Sequence, residues 1–133
     1  MKKKVFRKVK VPRGYKSLFN QCWKLHSEIV RRTEQGICFT CGVRNDWKDT
    51  DCGHFRHGSL DFDRRNTHAQ CKKCNLYLSG NLDNYALKLE AKYGQGILQE
   101  LDKAKWQTLA PSYEDLITLK ERLQAEILTL PMF

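Results

Sequence analysis

Apolar residues recur at helical spacing in the first third of the chain. Between Tyr15 and Gln35 they fall at intervals of three and four, which places them on one face of a helix. The stripe consists of Leu18, Phe19, Cys22, Trp23, His26, Ile29 and Val30. Gly36 follows, and glycine is typical of a helix end. The pattern predicts an N-terminal helix within residues 14–36, in which Cys22 is a small buried hydrophobe.

Residues 37–80 have a different pattern. Their apolar runs are short and interrupted by glycines and an Asn-Asp pair, which is typical of turns and hairpins. Helical spacing then returns and predicts helices from Asn81 to Tyr93, from Ile97 to Trp106 and from Ser112 to about Leu128. We therefore expect one α+β domain, with the N-terminal helix and a C-terminal helical cap, residues 81–133, flanking a small core.

The net charge of +9 is concentrated at the start of the chain. Residues 1–32 hold 11 of the 24 Lys and Arg residues but one of the 15 acidic residues. We expect residues 1–13 to be a disordered basic arm that binds a polyanion, because phosphate contacts release condensed counterions. A solvated tail that only aids solubility is the alternative. No apolar run approaches the roughly 20 residues that cross a bilayer, so no membrane partner is expected.

Two Cys-x-x-Cys pairs, Cys38/Cys41 and Cys71/Cys74, bracket the middle segment. Each two-residue turn lets two sulfurs reach one ion, and two such turns complete a tetrahedral zinc-thiolate shell. Disulfides are the alternative for six cysteines. The absence of an apolar signal segment after the basic start favours metal.

A zinc ion that joins the two pairs would force the chain between them to go out and return, most simply as a β-hairpin. Asp51–Phe55 would lie on one strand and Asn66–Gln70 on the other, and Cys71 and Cys74 would open a helix. Strand, strand and helix is the layout of the ββα-metal, or His-Me finger, nucleases. We therefore expect a zinc-stapled core that resembles theirs.

Individual residues carry the same resemblance. HNH nucleases have a His at the end of the first strand, an Asn five residues before the second Cys pair, and an Asn or His near that pair. His54, Asn66 and Asn75 match in order and spacing. The phage endonuclease VII group is similar in its two Cys-x-x-Cys pairs. More closely, DCGHFRHGSLDFDRRNTHAQCKKCNLYLSGN, followed by KYG, resembles the phage lambda NinG (Rap) recombination protein family over about residues 37–94.

The resemblance implies a metal-dependent DNA endonuclease, selective for branched recombination intermediates such as D-loops and Holliday junctions. His54 would be the general base, since a neutral imidazole can take a proton from water. Asn75 would give a hard oxygen to a catalytic Mg²⁺ or Mn²⁺ ion, while the zinc is structural. Asn66, the third residue of this catalytic set, is expected to buttress the hairpin through amide bonds to backbone.

The chain departs from the superfamily pattern at Gly53. Many members have Asp or His immediately before the base, as a second metal ligand, and glycine offers none. Asp51 is the favoured replacement, because strand alternation puts it on the same face as Gly53. The other candidates are His57, Asp61 and Asp63. Cys52 faces the opposite way and is expected to be buried rather than to be a further thiolate.

Basic residues around the predicted site indicate contact with the backbone of double-stranded, branched DNA. They are Arg56, His57, Arg64, Arg65, Lys72 and Lys73. A solvated face is the alternative reading of these charges. We expect His57 and His68 to face solvent or phosphate rather than to be catalytic.

Symmetric cutting of a junction needs two active sites, so a homodimer through the helical cap is a further expectation. No small-molecule cofactor is expected, and a phage or prophage protein of this kind would act in the cytoplasm of its bacterial host. The competing function is a non-catalytic zinc-ribbon protein that binds DNA as a recombination accessory. Gly53 favours that function, whereas Asn66 and Asn75 at nuclease spacing favour the enzyme.

Overall fold

The computed structural model describes residues 12–131 as a mixture of helices and one small sheet. The α-helices are α1 (Tyr15–Thr33), α2 (Leu82–Tyr93), α3 (Ile97–Gln107) and α4 (Tyr113–Ile127), and the strands are β1 (Asp51–His54) and β2 (Thr67–Gln70). A 3₁₀ turn, Trp47–Asp49, precedes β1, and a π-helix, Lys73–Tyr77, follows β2. The α+β class is confirmed. Most of the predicted basic arm lies outside the described residues.

Helix α1 forms where the apolar stripe predicts it and buries Leu18, Cys22, His26, Ile29 and Val30. It ends where Gln35 and Gly36 take positive φ angles of 56° and 69°. A Cβ on Gly36 would lie 2.1 Å from the carbonyl oxygen of Asn45, so only glycine fits this turn.

Helix α4 packs along α1. A capping box starts it, in which Ser112 Oγ accepts from the Asp115 amide at 3.0 Å and Asp115 Oδ2 accepts from the Ser112 amide at 2.9 Å. The apolar residues that meet between the two helices include Leu18, Cys22, Ile29, Leu116 and Leu123. Cys22 is fully buried, as predicted, and its thiol donates to the carbonyl of Leu116 at 3.3 Å. The apolar face of α4 is therefore buried within the chain itself.

Helices α2 and α3 form a second core with the loop that follows β1. Its buried residues are Phe55, Leu60, Tyr85, Leu89, Ile97 and Leu101. Tyr85 donates its hydroxyl to the carbonyl of Gly53 at 2.8 Å. Burial raises the pKa of Tyr85 far above its ordinary value, so the phenol remains a proton donor. Helix α2 is thus fixed to the centre of β1.

The two strands pair antiparallel, with Asp51 opposite Gln70 and His54 opposite Thr67. Each strand is one residue shorter than predicted, although the amide of Phe55 still donates to the carbonyl of Asn66 at 2.9 Å. All four residues of β2 are buried. The expectation that His68 faces solvent is therefore wrong, because Glu34, 2.9 Å from its Nδ1, and Phe39, stacked at 3.9 Å, cover the ring.

No helix among the described residues is both long and apolar enough to cross a membrane.

Candidate metal and nucleic-acid site

The four cysteines of the two Cys-x-x-Cys pairs form one cluster. Their sulfurs all lie within 4.8 Å of one another, and three of the residues, Cys38, Cys71 and Cys74, are buried. Cys41 Sγ and Cys71 Sγ are 3.7 Å apart, well beyond a disulfide bond of about 2.05 Å. Zn–S bonds of about 2.3 Å put the sulfurs of a tetrahedral shell about 3.8 Å apart. The cluster could therefore hold a structural metal such as zinc.

The other two cysteines lie apart from this cluster. All six fall within the described residues, and none is in a disulfide. Cys52 is buried in β1, where desolvation raises the pKa of its thiol to about 12. Its thiol is not among the four clustered sulfurs, so Cys52 is the buried small residue that its strand position predicts.

Asp51 and Asn75 both line a cleft of about 540 Å³. Asp51 opens β1, and Asn75 lies in the π-helix directly after Cys74. The Asn75 amide donates from Nδ2 to Asp51 Oδ2 at 3.0 Å, and Lys72 forms an ion pair with the other carboxylate oxygen. The structure thus brings the two predicted metal-ligand residues into contact. Rotation of the Asn75 amide would present two oxygens to one hard cation.

His54 is the last residue of β1 and is not among the residues that line this cleft. Its ring stacks on that of Trp23 from α1, with centroids 4.6 Å apart and planes at 15°. Trp23 also lines the cleft. His54 Nε2 is 3.0 Å from Asp61 Oδ1, an ion-pair distance without the alignment of a directed hydrogen bond. The carboxylate of Asp61, one of the candidate metal ligands, therefore contacts the imidazole of His54.

Asn66 is fully buried and binds the backbone of the loop that follows β1. Its Oδ1 accepts from the Arg56 amide at 2.8 Å, and its Nδ2 donates to the carbonyls of Arg56 at 2.8 Å and Leu60 at 3.2 Å. The expected amide bonds to backbone are present. They fix the chain immediately after His54, and any catalytic part for Asn66 stays a prediction.

Gly53 has a steric reason to be glycine. A Cβ at this position would lie 1.8 Å from Gln70 Oε1, on the facing strand. Gln70 is fully buried, and its Nε2 donates to Thr40 Oγ1 at 3.2 Å and to the carbonyl of Gly80 at 2.9 Å. Gln70 therefore occupies the space that a ligand-bearing side chain at residue 53 would need.

His26, a core residue of α1, also borders the site. Its Nε2 lies 2.9 Å from Thr67 Oγ1 on β2. Desolvation, followed by the positive charges of Arg64 and His54, lowers the pKa of His26 to about 3. His26 is therefore neutral near pH 7. The helical stripe indicates that Trp23 and His26 are buried, but it does not show that they pack on the hairpin.

The predicted DNA-binding residues have different surroundings. Arg64 pairs with Glu126 at 2.7 Å, while Arg65 pairs with Asp63 at 3.0 Å and Glu100 at 3.4 Å. These ion pairs already neutralise part of the two arginine charges. The guanidinium of Arg56 lies over the ring of Phe55 at 4.8 Å. His57, Lys72 and Lys73 are exposed.

Asp63, another candidate metal ligand, forms an ion pair with Arg65. Burial alone would raise the pKa of this carboxyl, but the hydrogen bonds from Arg65 hold it below its usual range. Asp63 also accepts from the Arg65 amide at 2.9 Å. Of the alternatives to Gly53, only Asp51 among the described residues contacts Asn75.

Comparison with known proteins identifies the family. The family model described as Bacteriophage Lambda NinG protein matches residues 1–131. Protein ninG of Escherichia phage lambda is 31% identical over 96 residues, which cover 68% of this chain and 46% of that protein. Protein ninG of Escherichia phage 933W is 32% identical with the same coverage. Protein ninG of Salmonella phage P22 is 30% identical over 106 residues, covering 73% and 51%.

The chain spans about half the length of the curated relatives it matches. No solved structure gives a significant match. The match of the family model covers nearly the whole chain, including both cysteine pairs and the hairpin between them. The chain therefore belongs to the phage lambda NinG protein family.

Proposed function

We propose that the protein is a metal-dependent DNA endonuclease with a zinc-stapled ββα-metal core of the HNH type. The contact of 3.0 Å between Asp51 and Asn75 carries this proposal. It joins the first residue of the hairpin to the short helix after it, in a cleft that Arg31, Lys48 and Lys72 make basic. The cysteine cluster would fix that helix against the hairpin.

Asp51 and Asn75 are suited to hold Mg²⁺ or Mn²⁺ through a carboxylate and an amide oxygen. Such ions use few protein ligands and keep positions for water and phosphate. When bound, the ion would supply Lewis-acid stabilisation of the scissile phosphate. Lys72, which pairs with Asp51, would have to release this carboxylate when the ion binds.

His54 is the proposed general base. Its Nε2 faces the carboxylate of Asp61 at 3.0 Å, which favours a proton on that nitrogen and leaves the lone pair on Nδ1. The stacked ring of Trp23 limits rotation of the imidazole. Nδ1 would accept the proton of the attacking water, and Asp61 would stabilise the positive charge that His54 then carries.

A preference for branched recombination intermediates, such as D-loops and Holliday junctions, belongs to the same proposal. Its support is the family resemblance together with the basic residues near the hairpin. A homodimer would place two sites on one junction. The apolar face of α4 packs on α1, so such a dimer would have to use other surfaces of the cap.

The test is cleavage by zinc-loaded protein of a branched duplex and a linear duplex, with Mg²⁺, with Mn²⁺ and without either. His54→Ala and Asn75→Ala should each lower the cleavage rate about 100-fold or more, the scale of a lost general base or metal ligand. Asn20→Ala, which removes an exposed asparagine of α1, is the matched control and should cleave normally. Zinc content should be equal in all three variants, and circular dichroism should show each one folded at the assay temperature.

A zinc-ribbon protein that binds DNA without cutting it is the second candidate. The ion pair between Lys72 and Asp51 favours it, because the ammonium group uses one of the few oxygens available to a catalytic ion. Zinc-dependent DNA binding with no nicking in either divalent ion would establish this alternative and refute the enzyme.

A further inference from the structure

An apolar ridge is exposed beside the cleft of Asp51 and Asn75. It consists of Leu76, Tyr77 and Leu78, which are 62%, 82% and 47% exposed. Leu76 lines the cleft itself. Three consecutive large apolar residues at the surface are unfavourable in water, and such patches commonly mark a binding surface.

Cations lie at the Leu76 end of this apolar ridge. Lys72 and Lys73 precede it in the chain and are exposed, and Lys48 and Arg31 line the cleft. Asp51, the acid of the cleft, is already paired with Lys72. Self-association through this face would bring the cations of two copies together, which is electrostatically unfavourable. The charge therefore favours a polyanionic partner.

An aromatic ring next to a basic cleft has the chemistry of a site for unpaired nucleotides. The cations follow the phosphate backbone, and the ring receives a base that is not stacked on its neighbours. An intact duplex offers its phosphates to the same cations, but its bases are already stacked. The aromatic ring thus adds selectivity that the cations alone cannot give.

We propose that Tyr77, flanked by Leu76 and Leu78, is a stacking platform for an unpaired DNA base. The inference rests on the proposed nuclease function and deepens it. A base freed at a branch or a single-stranded end stacks on Tyr77, while the adjoining phosphates lie along the Lys72 side of the cleft. The platform gives the site a preference for DNA with unpaired bases.

The test is binding of zinc-loaded protein, without Mg²⁺ or Mn²⁺, to a single strand containing 2-aminopurine and to its fully paired duplex. Wild-type protein should quench the single-strand fluorescence. Tyr77→Ala should abolish the quenching and weaken single-strand affinity about 5- to 150-fold. Tyr77→Phe, which keeps a ring, should bind within about twofold of wild type, and duplex affinity should change by less than about twofold in both variants.

Tyr77 is 82% exposed, so its truncation should leave folding unchanged, which zinc content and melting temperature check. Trp106→Ala is the matched control, because Trp106 is 79% exposed on α3, and it should bind like wild type. Unchanged single-strand affinity in Tyr77→Ala, or an equal loss on the duplex, would overturn the platform.

The nuclease proposal and the stacking-platform proposal can be refuted independently of each other. If Tyr77-dependent binding occurs but no DNA is nicked in Mg²⁺ or Mn²⁺, the nuclease is refuted and the platform stands. If wild type cleaves DNA and Tyr77→Ala keeps full single-strand affinity, the platform is refuted and the nuclease stands.

Discussion

Replacing Gly53 by alanine tests the steric argument for the glycine before the histidine. The new Cβ would lie 1.8 Å from Oε1 and 2.7 Å from Cδ of Gln70, so the end of that side chain must move by roughly 1.5 Å to reach ordinary contact. Gln70 is fully buried and donates to Thr40 and Gly80, so the movement also strains two buried hydrogen bonds.

The expected loss follows from these terms. Overpacking costs about 1–3 kcal/mol, and a buried polar group left without its partner costs about 1–3 kcal/mol more. Alanine also lowers the conformational entropy of the unfolded chain, which stabilises the folded protein by about 0.4–1 kcal/mol. Gly53→Ala should therefore lower the free energy of unfolding by about 1–5 kcal/mol, measured by urea unfolding of zinc-loaded protein followed by circular dichroism.

A double-mutant cycle isolates the cause. In a Gln70→Ala background the obstructing side chain is gone, so adding Gly53→Ala should cost less than about 0.5 kcal/mol. The coupling between the two substitutions should then equal the loss measured in the wild-type background less about 0.5 kcal/mol. Strictly additive losses, or a Gly53→Ala variant as stable as wild type, would refute the argument that Gln70 excludes a ligand at residue 53.

Three further outcomes are expected. Cys41→Ser, at the exposed member of the cluster, should abolish tight zinc binding, whereas Cys52→Ser should retain one zinc per chain by metal analysis; retention by both would refute the four-cysteine site. The pKa of His26 falls from 6.5 unfolded to about 3 folded, so between these values the unfolded chain binds more protons. The contribution of His26 to the free energy of unfolding should therefore be fully present above pH 6.5. It should decline as the pH falls, by up to about 1.4 kcal/mol per pH unit. In His26→Gln, urea unfolding at pH 7.0 and 5.5 should show a shallower decline, and identical slopes would contradict the assignment. Asp61→Asn should lower kcat on DNA about 10- to 100-fold with unchanged DNA affinity, the effect typical of a group that orients a functional imidazole. A weakened affinity with normal kcat would instead make Asp61 a binding residue.

Much of the fold can be predicted from the sequence because it depends on local patterns. The stripe from Leu18 to Val30 fixes both the existence and the buried face of α1. Ser112 and Asp115 mark the start of α4, since a capping box needs only residues three apart. The spacing of the cysteine pairs likewise indicates a common metal cluster and a hairpin between its halves.

His68 shows a case in which local sequence patterns fail to predict burial. Strand alternation cannot tell solvent from a covering element, and here Glu34, Phe39 and Tyr93 from other parts of the chain enclose the ring. Residue type alone makes Asp61 one of several candidate metal ligands, whereas the path of the loop places its carboxylate 3.0 Å from His54 Nε2. The ion pairs of Arg64 and Arg65 also depend on α4 and α3, which are distant in sequence.

The sequence by itself therefore determined the helices, the hairpin, the cysteine cluster and the family, because spacing along the chain encodes each of them. Only the tertiary structure decided which side chains share the site. It brought Asp51 to Asn75, stacked Trp23 on His54, and set Gln70 against Gly53. Those contacts depend on the packing of α1 and the short helix after β2 around the hairpin. Packing between elements distant in sequence leaves no periodic pattern in the chain.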